Sequence, residues 1–241
     1  MLQKFIANRK LKSIVVAMNS ELTPILEILK PYKKLDKLGK TFFYNENAIV
    51  IKSGIGQICA VDAVSSLISF LGGKQNLECI INVGLCGSLV GEKYKVGDIL
   101  MVKDVVDYDF DISKIDGLKP GQYPGYESVF FEADLSYFNS LKEIYGDKIK
   151  AVRCASGDKF IADKNTQDSL VKNFDADICD MESAAIAIIA KKYGIPAIII
   201  KAVSDVVNDE SFQKTYQNST KTVTRNYIGV LKIILENKLF G

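Results

Sequence analysis

Short apolar runs rich in β-branched residues alternate with longer helical patterns along most of this chain. The runs predict buried strands at 13–18, 79–83, 98–106, 150–155 and 196–203, and the longer patterns predict helices at 21–29, 58–71, 133–145, 165–173 and 183–193. Such alternation is typical of a largely parallel sheet covered by helices. The pattern therefore predicts an α/β fold, and no linker or change of composition divides residues 1–241 into more than a single domain.

Three segments fall outside the simple alternation. Residues 41–44 and 48–52 flank Asn-Glu-Asn and predict a hairpin, and a final helix of undefined start runs to about Asn237. Residues 107–130 are polar, contain glycine and proline, and are too long for a plain connection. We expect this long segment to lie at a subunit contact, because segments of this kind often serve function or assembly.

The chain contains no histidine, which excludes whole classes of active site. Ser-His-Asp and Cys-His catalysis, histidine-ligated zinc and imidazole proton transfer are ruled out together. Any acid or base must be Asp, Glu, Lys, Tyr or Cys. We expect neither a metal nor a cofactor.

Charge and cysteine content restrict the partners and the compartment. The 31 basic and 29 acidic residues are mixed along the chain, so neither nucleic acid nor a membrane is an expected partner. The five cysteines form no C-x-x-C pair, and no export signal is evident at the start. These features favour reduced thiols and a cytoplasmic location.

Polar residues directly after predicted strands are the first candidates for a site, because ligands of open α/β sheets bind beyond the carboxyl ends of the strands. Asp205 follows an apolar run that should raise its pKa toward that of a proton donor, although a helix N-cap is the alternative. Glu182 precedes an alanine-rich helix, where the helix dipole alone favours an acid. Glu21, taken by itself, is also compatible with a solvated helix residue.

Two glycine-containing segments carry weaker signals. Residues 53–56, Ser-Gly-Ile-Gly, favour a tight turn over an anion-binding loop, since the Lys-Ser/Thr of a P-loop is missing. Residues 84–88, Gly-Leu-Cys-Gly-Ser, predict a loop whose amides face a sugar. Cys86 in that segment has no histidine beside it and is interpreted as a bystander thiol.

Eight segments in a fixed order resemble the nucleoside phosphorylase/hydrolase superfamily, and most closely the bacterial methylthioadenosine/S-adenosylhomocysteine nucleosidases. The segments are VVAMNSEL at 15–22, SGIGQICA at 53–60, IINVGLCGSL at 80–89, KVGDILMVKDV at 95–105, GQYPG at 121–125, ASGDKFIAD at 155–163, DMESAAIA at 180–187 and AVSDVVND at 202–209.

The resemblance implies a three-layer αβα fold with a central mixed β-sheet, and hydrolysis of the N-glycosidic bond of adenine nucleosides in methionine salvage. It implies that Asp205 is the general acid at purine N7 and that Glu21 activates water, with Asp180 near the same water. It implies that Glu182 holds the ribose hydroxyls. Further substrate-binding residues implied in the same way are Met181 on the sugar, Phe160 and Ile161 at the base, and Ser204, Met18, Ala17, Ile55 and Gly87 at lesser contact positions.

The resemblance also implies a homodimer in which the loop around Tyr123 and Pro124 reaches the partner's active site. Some positions depart from the family pattern. Leu85 replaces a small hydroxyl residue and Tyr108 replaces a histidine, and the aromatic wall of the 5′ pocket near Ile115 and Thr215 is not reproduced. Phe212 and Tyr216 are the alternatives for the aromatic that closes that pocket.

Three other functions remain open at this point. A purine nucleoside phosphorylase needs phosphate ligands, but Asn82 and Leu85 stand where arginine and a hydroxyl residue are expected, and a buried phosphate without arginine is poorly compensated. A related nucleosidase that acts on 5′-deoxyadenosine or on a futalosine derivative, such as futalosine hydrolase, is compatible with the same residues. A nucleoside-binding protein without catalysis is disfavoured by the presence of Glu21, Glu182 and Asp205.

Overall fold

The computed structural model describes residues 10–208 and 223–236 and contains the predicted alternation of strands and helices. The strands are β1 Leu11–Val16, β2 Lys33–Lys37, β3 Lys40–Tyr44, β4 Ala48–Lys52, β5 Leu77–Ser88, β6 Ile99–Asp107, β7 Phe130–Glu132, β8 Ile149–Ser156, β9 Ile178–Asp180 and β10 Ala197–Val206. The helices are α1 Asn19–Leu29, α2 Gln57–Phe70, α3 Ser113–Asp116, α4 Phe138–Tyr145, α5 Lys164–Phe174, α6 Ser183–Tyr193 and α7 Ile228–Glu236.

The strands form one mixed sheet with a closed part. The adjacent strands β4, β1, β5 and β10 run parallel to one another, and the hairpin of β3 and β4 is antiparallel, as its turn residues predict. Strand β10 also pairs with β6, and β6, β8 and β9 lead back to β5. These pairings close a ring of five strands at one end of the sheet, which the sequence did not predict.

Helices cover both faces of the sheet, so the predicted three-layer αβα arrangement is confirmed. Ile14 and Val16 of β1 belong to the apolar cluster that includes α1, α4 and α7. Val15, between them, belongs to the cluster formed with α2 and α6 on the opposite face. Successive strand residues point to opposite faces, so a strand that is apolar throughout can serve two layers.

The prediction of a loop at residues 84–88 is wrong, because β5 continues to Ser88. Gly84 is a strand residue, and a Cβ there would lie 3.0 Å from Oε1 of Glu21. Glycine inside a strand often marks such a close approach rather than a turn. Asp205 likewise lies within β10 and caps no helix, so the N-cap alternative for this residue is also wrong.

Other boundaries differ for simple physical reasons. Strands β2, β7 and β9 were not predicted, since β2 is polar and fully exposed, and β7 and β9 have only three residues each. Strand β1 lies two residues earlier than predicted, and α4 begins at Phe138 rather than at 133. Between β6 and β7, residues 108–129 contain only the one-turn helix α3, in agreement with a long connecting segment. None of the described helices has the length and apolar character needed to cross a bilayer.

Candidate active site

A cavity of about 280 Å³ opens at the carboxyl ends of β1, β5, β9 and β10. The structure brings all of the predicted catalytic and substrate-binding residues to its wall, although they come from distant parts of the sequence. The lining residues are Ala17, Met18, Glu21, Ile55, Leu85, Cys86, Gly87, Lys159, Phe160, Ile161, Cys179, Asp180, Met181, Glu182, Ser204 and Asp205.

Glu21 is held in one orientation by backbone donors. It lies in the first turn of α1, where the N–H groups of Ala17 and Met18 each donate to Oε2 at 2.9 Å, and the N–H of Leu85 donates to Oε1 at 3.1 Å. Its side chain is buried, which excludes the reading as a solvated helix residue. Burial raises the pKa of Glu21, while these donors and Lys201 oppose the rise.

Asp205 is placed by an irregularity in β10. The register between β10 and β5 shifts at Ser204, between Val203 and Asp205, and such a bulge re-aims side chains. Both Ser204 and Asp205 consequently line the cavity. The hydroxyl of Ser204 donates to Oδ1 of Asp205 at 2.6 Å, and burial raises the pKa of Asp205, in the direction that the apolar run predicts.

Glu182 connects the start of α6 with the turn at 53–56. Its Oε1 accepts a hydrogen bond of 2.9 Å from the N–H of Gly56. Gly56 has a φ of 95°, a conformation that favours glycine, and the chain bends at residues 55–56 before α2 begins. Burial, and next the neighbouring Asp180, raise the pKa of Glu182 to about 7. This carboxyl therefore changes charge near neutral pH.

Lys201 is a functional candidate that the sequence reasoning missed. It lies in β10, is 1% exposed, and its Nζ contacts Oδ2 of Asp180 at 2.6 Å. Burial would raise the pKa of Asp180, but Lys201 and hydrogen bonds from Ser183 outweigh it and hold that pKa below its usual value. The available signal was a single lysine inside an otherwise apolar strand, because a buried cation needs an anionic partner.

Apart from the exposed side chain of Lys159, the remaining wall is apolar or consists of unreactive thiols. Phe160 is 51% exposed and Ile55 is 56% exposed, so both have free surface at the cavity. Burial raises the pKa of Cys86 and of Cys179 far above the ordinary thiol value, which makes both poor nucleophiles and fits the interpretation of Cys86 as a bystander. Leu85 is buried and reaches the same wall.

Several residues named from the sequence do not belong to this wall. Tyr108, Ile115, Tyr123 and Pro124 do not line the cavity within one chain. Residues Phe212, Thr215 and Tyr216 lie outside the described part of the chain. Among residues 10–208 and 223–236, no group of three or more His, Cys, Asp and Glu side chains is arranged to hold a metal ion.

The arrangement of the cavity can support acid-base chemistry on a small ligand. Two buried carboxyls, Glu21 and Asp205, have raised pKa values and lie on the wall of one cavity that also exposes an aromatic ring. Buried groups with shifted pKa values are typical of catalytic sites.

Comparison with known proteins identifies relatives along nearly the whole chain. The family model described as Phosphorylase superfamily matches residues 13–234. The 5′-methylthioadenosine/S-adenosylhomocysteine nucleosidase of Buchnera aphidicola is 34% identical, over 93% of this chain and 97% of that protein. The aminodeoxyfutalosine nucleosidase of Campylobacter jejuni is 29% identical, over 90% of this chain and 95% of that protein.

The fold has close structural counterparts as well. A crystal structure of the Helicobacter pylori 5′-methylthioadenosine/S-adenosylhomocysteine nucleosidase, in complex with a small-molecule ligand, superimposes with a TM-score of 0.85 at 27% identity. The match covers 94% of this chain and 98% of that chain. Together with the match of the family model, this similarity shows that the chain belongs to the phosphorylase superfamily.

Proposed function

We propose that this protein is an N-glycosyl hydrolase of adenine nucleosides such as 5′-methylthioadenosine and S-adenosylhomocysteine, releasing adenine and the free sugar. The observation that carries the proposal is the convergence of Glu21, Glu182 and Asp205 on one cavity. A nucleosidase named for these two substrates is similar to the chain over most of its length. The proposed reaction needs an acid, a base and a group that holds the sugar, and the proposal assigns one of these tasks to each carboxyl.

Asp205 supplies the proton for the leaving base. Its raised pKa keeps the carboxyl protonated to higher pH than an ordinary aspartic acid, so it can donate to N7 of the purine. The electrons of the C1′–N9 bond then pass to a neutral adenine rather than to an anion. The half-exposed ring of Phe160 lines the cavity and stacks on that base, and Ile161, the next residue, lines the same cavity.

Glu21 activates the water that replaces the base. An ionised Glu21 accepts a proton from water as the water oxygen bonds to C1′ of an oxocarbenium-like sugar, in the manner of the base in inverting glycosidases. Three backbone donors fix the carboxylate, and the positive charge of Lys201 favours its ionised form. Acid and base help of this kind each contribute about 10²- to 10⁴-fold in rate.

Glu182 holds the ribose, with Met181 against the sugar. The N–H of Gly56 occupies Oε1 of Glu182, which leaves its other acceptor sites for the 2′- and 3′-hydroxyls. An ionised carboxylate accepts from both hydroxyls, whereas a protonated one must donate its own hydrogen. Sugar binding should therefore strengthen as the pH rises through about 7, the pKa of Glu182.

Hydrolysis is favoured over phosphorolysis by the charge of the cavity. Within the described residues its wall includes the carboxylates of Glu21, Asp180 and Glu182 and one cation, the exposed Lys159, but no arginine. The buried Lys201 is already paired with Asp180. A phosphate dianion in this place would be repelled and left without bidentate partners.

A second candidate substrate is a futalosine derivative. Relatives named aminodeoxyfutalosine nucleosidase, from Campylobacter jejuni and Helicobacter pylori, match about as extensively as those named for methylthioadenosine. The two substrate classes differ in the 5′ substituent rather than in the N-glycosidic bond. The proposed acid, base and sugar contacts are therefore common to both.

The proposed assembly is a homodimer that contacts through α2 and the long segment 108–129. Ile58 and Val61 on α2 are 82% and 37% exposed, and Ile115 in the long segment is 83% exposed. Pro124 is exposed beside Tyr123, so this loop is available to approach the partner's cavity. We place the enzyme in the cytoplasm and in methionine salvage, and native mass measurement tests the dimer.

Product analysis tests the proposed function. The protein is incubated with methylthioadenosine, S-adenosylhomocysteine, aminodeoxyfutalosine, adenosine and inosine, with and without phosphate, and the products are separated by chromatography. We expect adenine and free sugar from the 5′-substituted adenine nucleosides whether or not phosphate is present. Formation of a sugar 1-phosphate would indicate a phosphorylase, and binding without turnover would indicate a nucleoside-binding protein.

A further inference from the structure

A buried carboxylate outside the cavity joins the long segment 108–129 to the first turn of α2. Asp107, the last residue of β6, is 4% exposed. Its Oδ1 accepts a hydrogen bond of 3.0 Å from Nε2 of Gln57, and its Oδ2 accepts one of 2.6 Å from the hydroxyl of Tyr123. The ring of Tyr123 stacks on Phe110 with centroids 4.0 Å apart.

Burial of the Asp107 carboxylate costs folding free energy, which an apolar side chain in the same place would not cost. A buried carboxylate loses hydration that two neutral donors only partly replace. Among the described residues no lysine or arginine forms a salt bridge with Asp107. The carboxylate accepts hydrogen bonds from Gln57 and Tyr123 at once, and it thereby fixes the distance between α2 and the long segment.

Gln57 connects Asp107 with the segment that contacts Glu182 at the cavity. It is the first residue of α2 and directly follows Gly56, whose N–H donates to Glu182. A second bond, from the N–H of Gln57 to Oδ1 of Asp158 at 2.7 Å, holds the same residue from the other side. A Cβ at position 56 would lie 2.8 Å from that oxygen, so the close approach of the two segments requires glycine there.

We propose that Asp107 is a positioning residue for sugar binding: through Gln57 it fixes the 53–57 turn, and the turn fixes Glu182. This inference rests on the nucleosidase activity and on the sugar contact of Glu182 proposed above. It assigns to the pair Asp107 and Tyr123 the task of linking the long segment to the ribose side of the cavity. The side chain of Asp107 bonds to Gln57 and Tyr123 and not to Phe160 or Asp205, so we expect the base side to be unaffected by the loss of these two bonds.

The test compares binding of the sugar with binding of the base. Gln57→Met and Asp107→Leu remove the link with apolar side chains of related shape, and Asp111→Ala is the control, an exposed acid in the same segment. KM and kcat for methylthioadenosine are measured together with the inhibition constant of adenine. We expect KM to rise about three- to tenfold in both test variants, the effect of losing about one hydrogen bond, with kcat within about twofold. The inhibition constant of adenine should stay at the wild-type value.

Two further variants separate positioning from general damage. Asp107→Asn should restore a KM near that of the wild type, because its oxygen accepts from Tyr123 and the Gln57 amide can turn over to accept from its NH₂ group. Gln57→Met combined with Tyr123→Phe should cost less than the sum of the two single changes, because both act through Asp107. Thermal unfolding identifies any variant that has lost its fold.

The outcomes are distinct. An unchanged KM in folded Gln57→Met and Asp107→Leu overturns the inference and leaves the proposed function intact. A parallel loss of adenine and nucleoside affinity also overturns it, since the defect would then not be confined to the sugar. A wild-type protein that releases no adenine from any of the nucleosides overturns the proposed function and this inference with it.

Discussion

The two sides of the cavity hold their carboxyls in different ways. On one side Glu21 accepts three backbone hydrogen bonds and lies near Lys201, and all four influences favour its ionised form. On the other side, among the described residues, the hydroxyl of Ser204 is the single group that opposes the effect of burial on the pKa of Asp205. Burial raises the pKa of both carboxyls, and we infer from the comparison that the donors supplied to one and withheld from the other suit them to the opposite tasks proposed above.

Replacement of the acid should have the largest effect. Asp205→Asn keeps an oxygen that accepts from Ser204 but removes the proton that the leaving base needs. We expect kcat for methylthioadenosine to fall by about 10²- to 10⁴-fold, with the thermal unfolding midpoint nearly unchanged. Full activity in this variant would contradict the assignment of Asp205.

Replacement of the base should have a similar or smaller effect. Glu21→Gln removes the negative charge that accepts the proton of water, and its NH₂ group meets N–H donors that it cannot satisfy. We expect kcat to fall by up to about 10²- to 10⁴-fold, together with some loss of stability, in steady-state and unfolding measurements. Unchanged turnover would show that water is activated elsewhere.

Removal of the cation beneath the cavity should damage stability more than chemistry. Lys201→Met leaves Asp180 buried without its partner, a defect that costs about 3–5 kcal/mol in comparable buried pairs. Urea unfolding should show this loss, and kcat should fall less than in Glu21→Gln. Lys201→Arg is the control that keeps the charge, and an equally unstable arginine variant would indicate a purely steric defect.

Ser204→Ala should have the smallest effect, which is a change in the pH dependence of kcat/KM. For the wild type, kcat/KM should fall as the pH drops, because Glu21 and Glu182 become protonated, and should also fall as the pH rises, because Asp205 loses its proton. The Ser204 hydroxyl lowers the pKa of Asp205, so its removal should move the alkaline limb to higher pH. The acid limb should not move. A shift of the acid limb instead would show that the Ser204 hydroxyl acts on the pKa of Glu21 or Glu182 rather than on that of Asp205.

The sequence predicted most of the layer architecture because the buried strands are long apolar runs, as in β1, β8 and β10. It did not predict β2, whose exposed polar residues carry no core signal, or the strand character of Gly84. That glycine is required by the approach of Glu21, a contact 63 positions away in the chain that no local pattern contains.

The candidate site was predictable in part. Asp205 was a candidate because it follows an apolar run. Glu21 and Glu182 were assigned to the site only through the family resemblance, since each has an ordinary explanation as a helix residue. Lys201 and Asp107 were missed because their importance lies in partners that are brought together only by folding. Side chains whose task is to hold another side chain have no sequence pattern of their own.

The division of tasks between Asp205 and Glu21 is tested most directly by changing the leaving group. From a riboside of p-nitrophenol, p-nitrophenolate leaves as a stable anion and needs no proton. Hydrolysis of this substrate therefore does not require the acid but still requires the activated water. We expect Asp205→Asn to hydrolyse this substrate at a rate close to that of the wild type, while Glu21→Gln stays impaired. Equal impairment of both variants, or recovery of Glu21→Gln alone, would contradict the account.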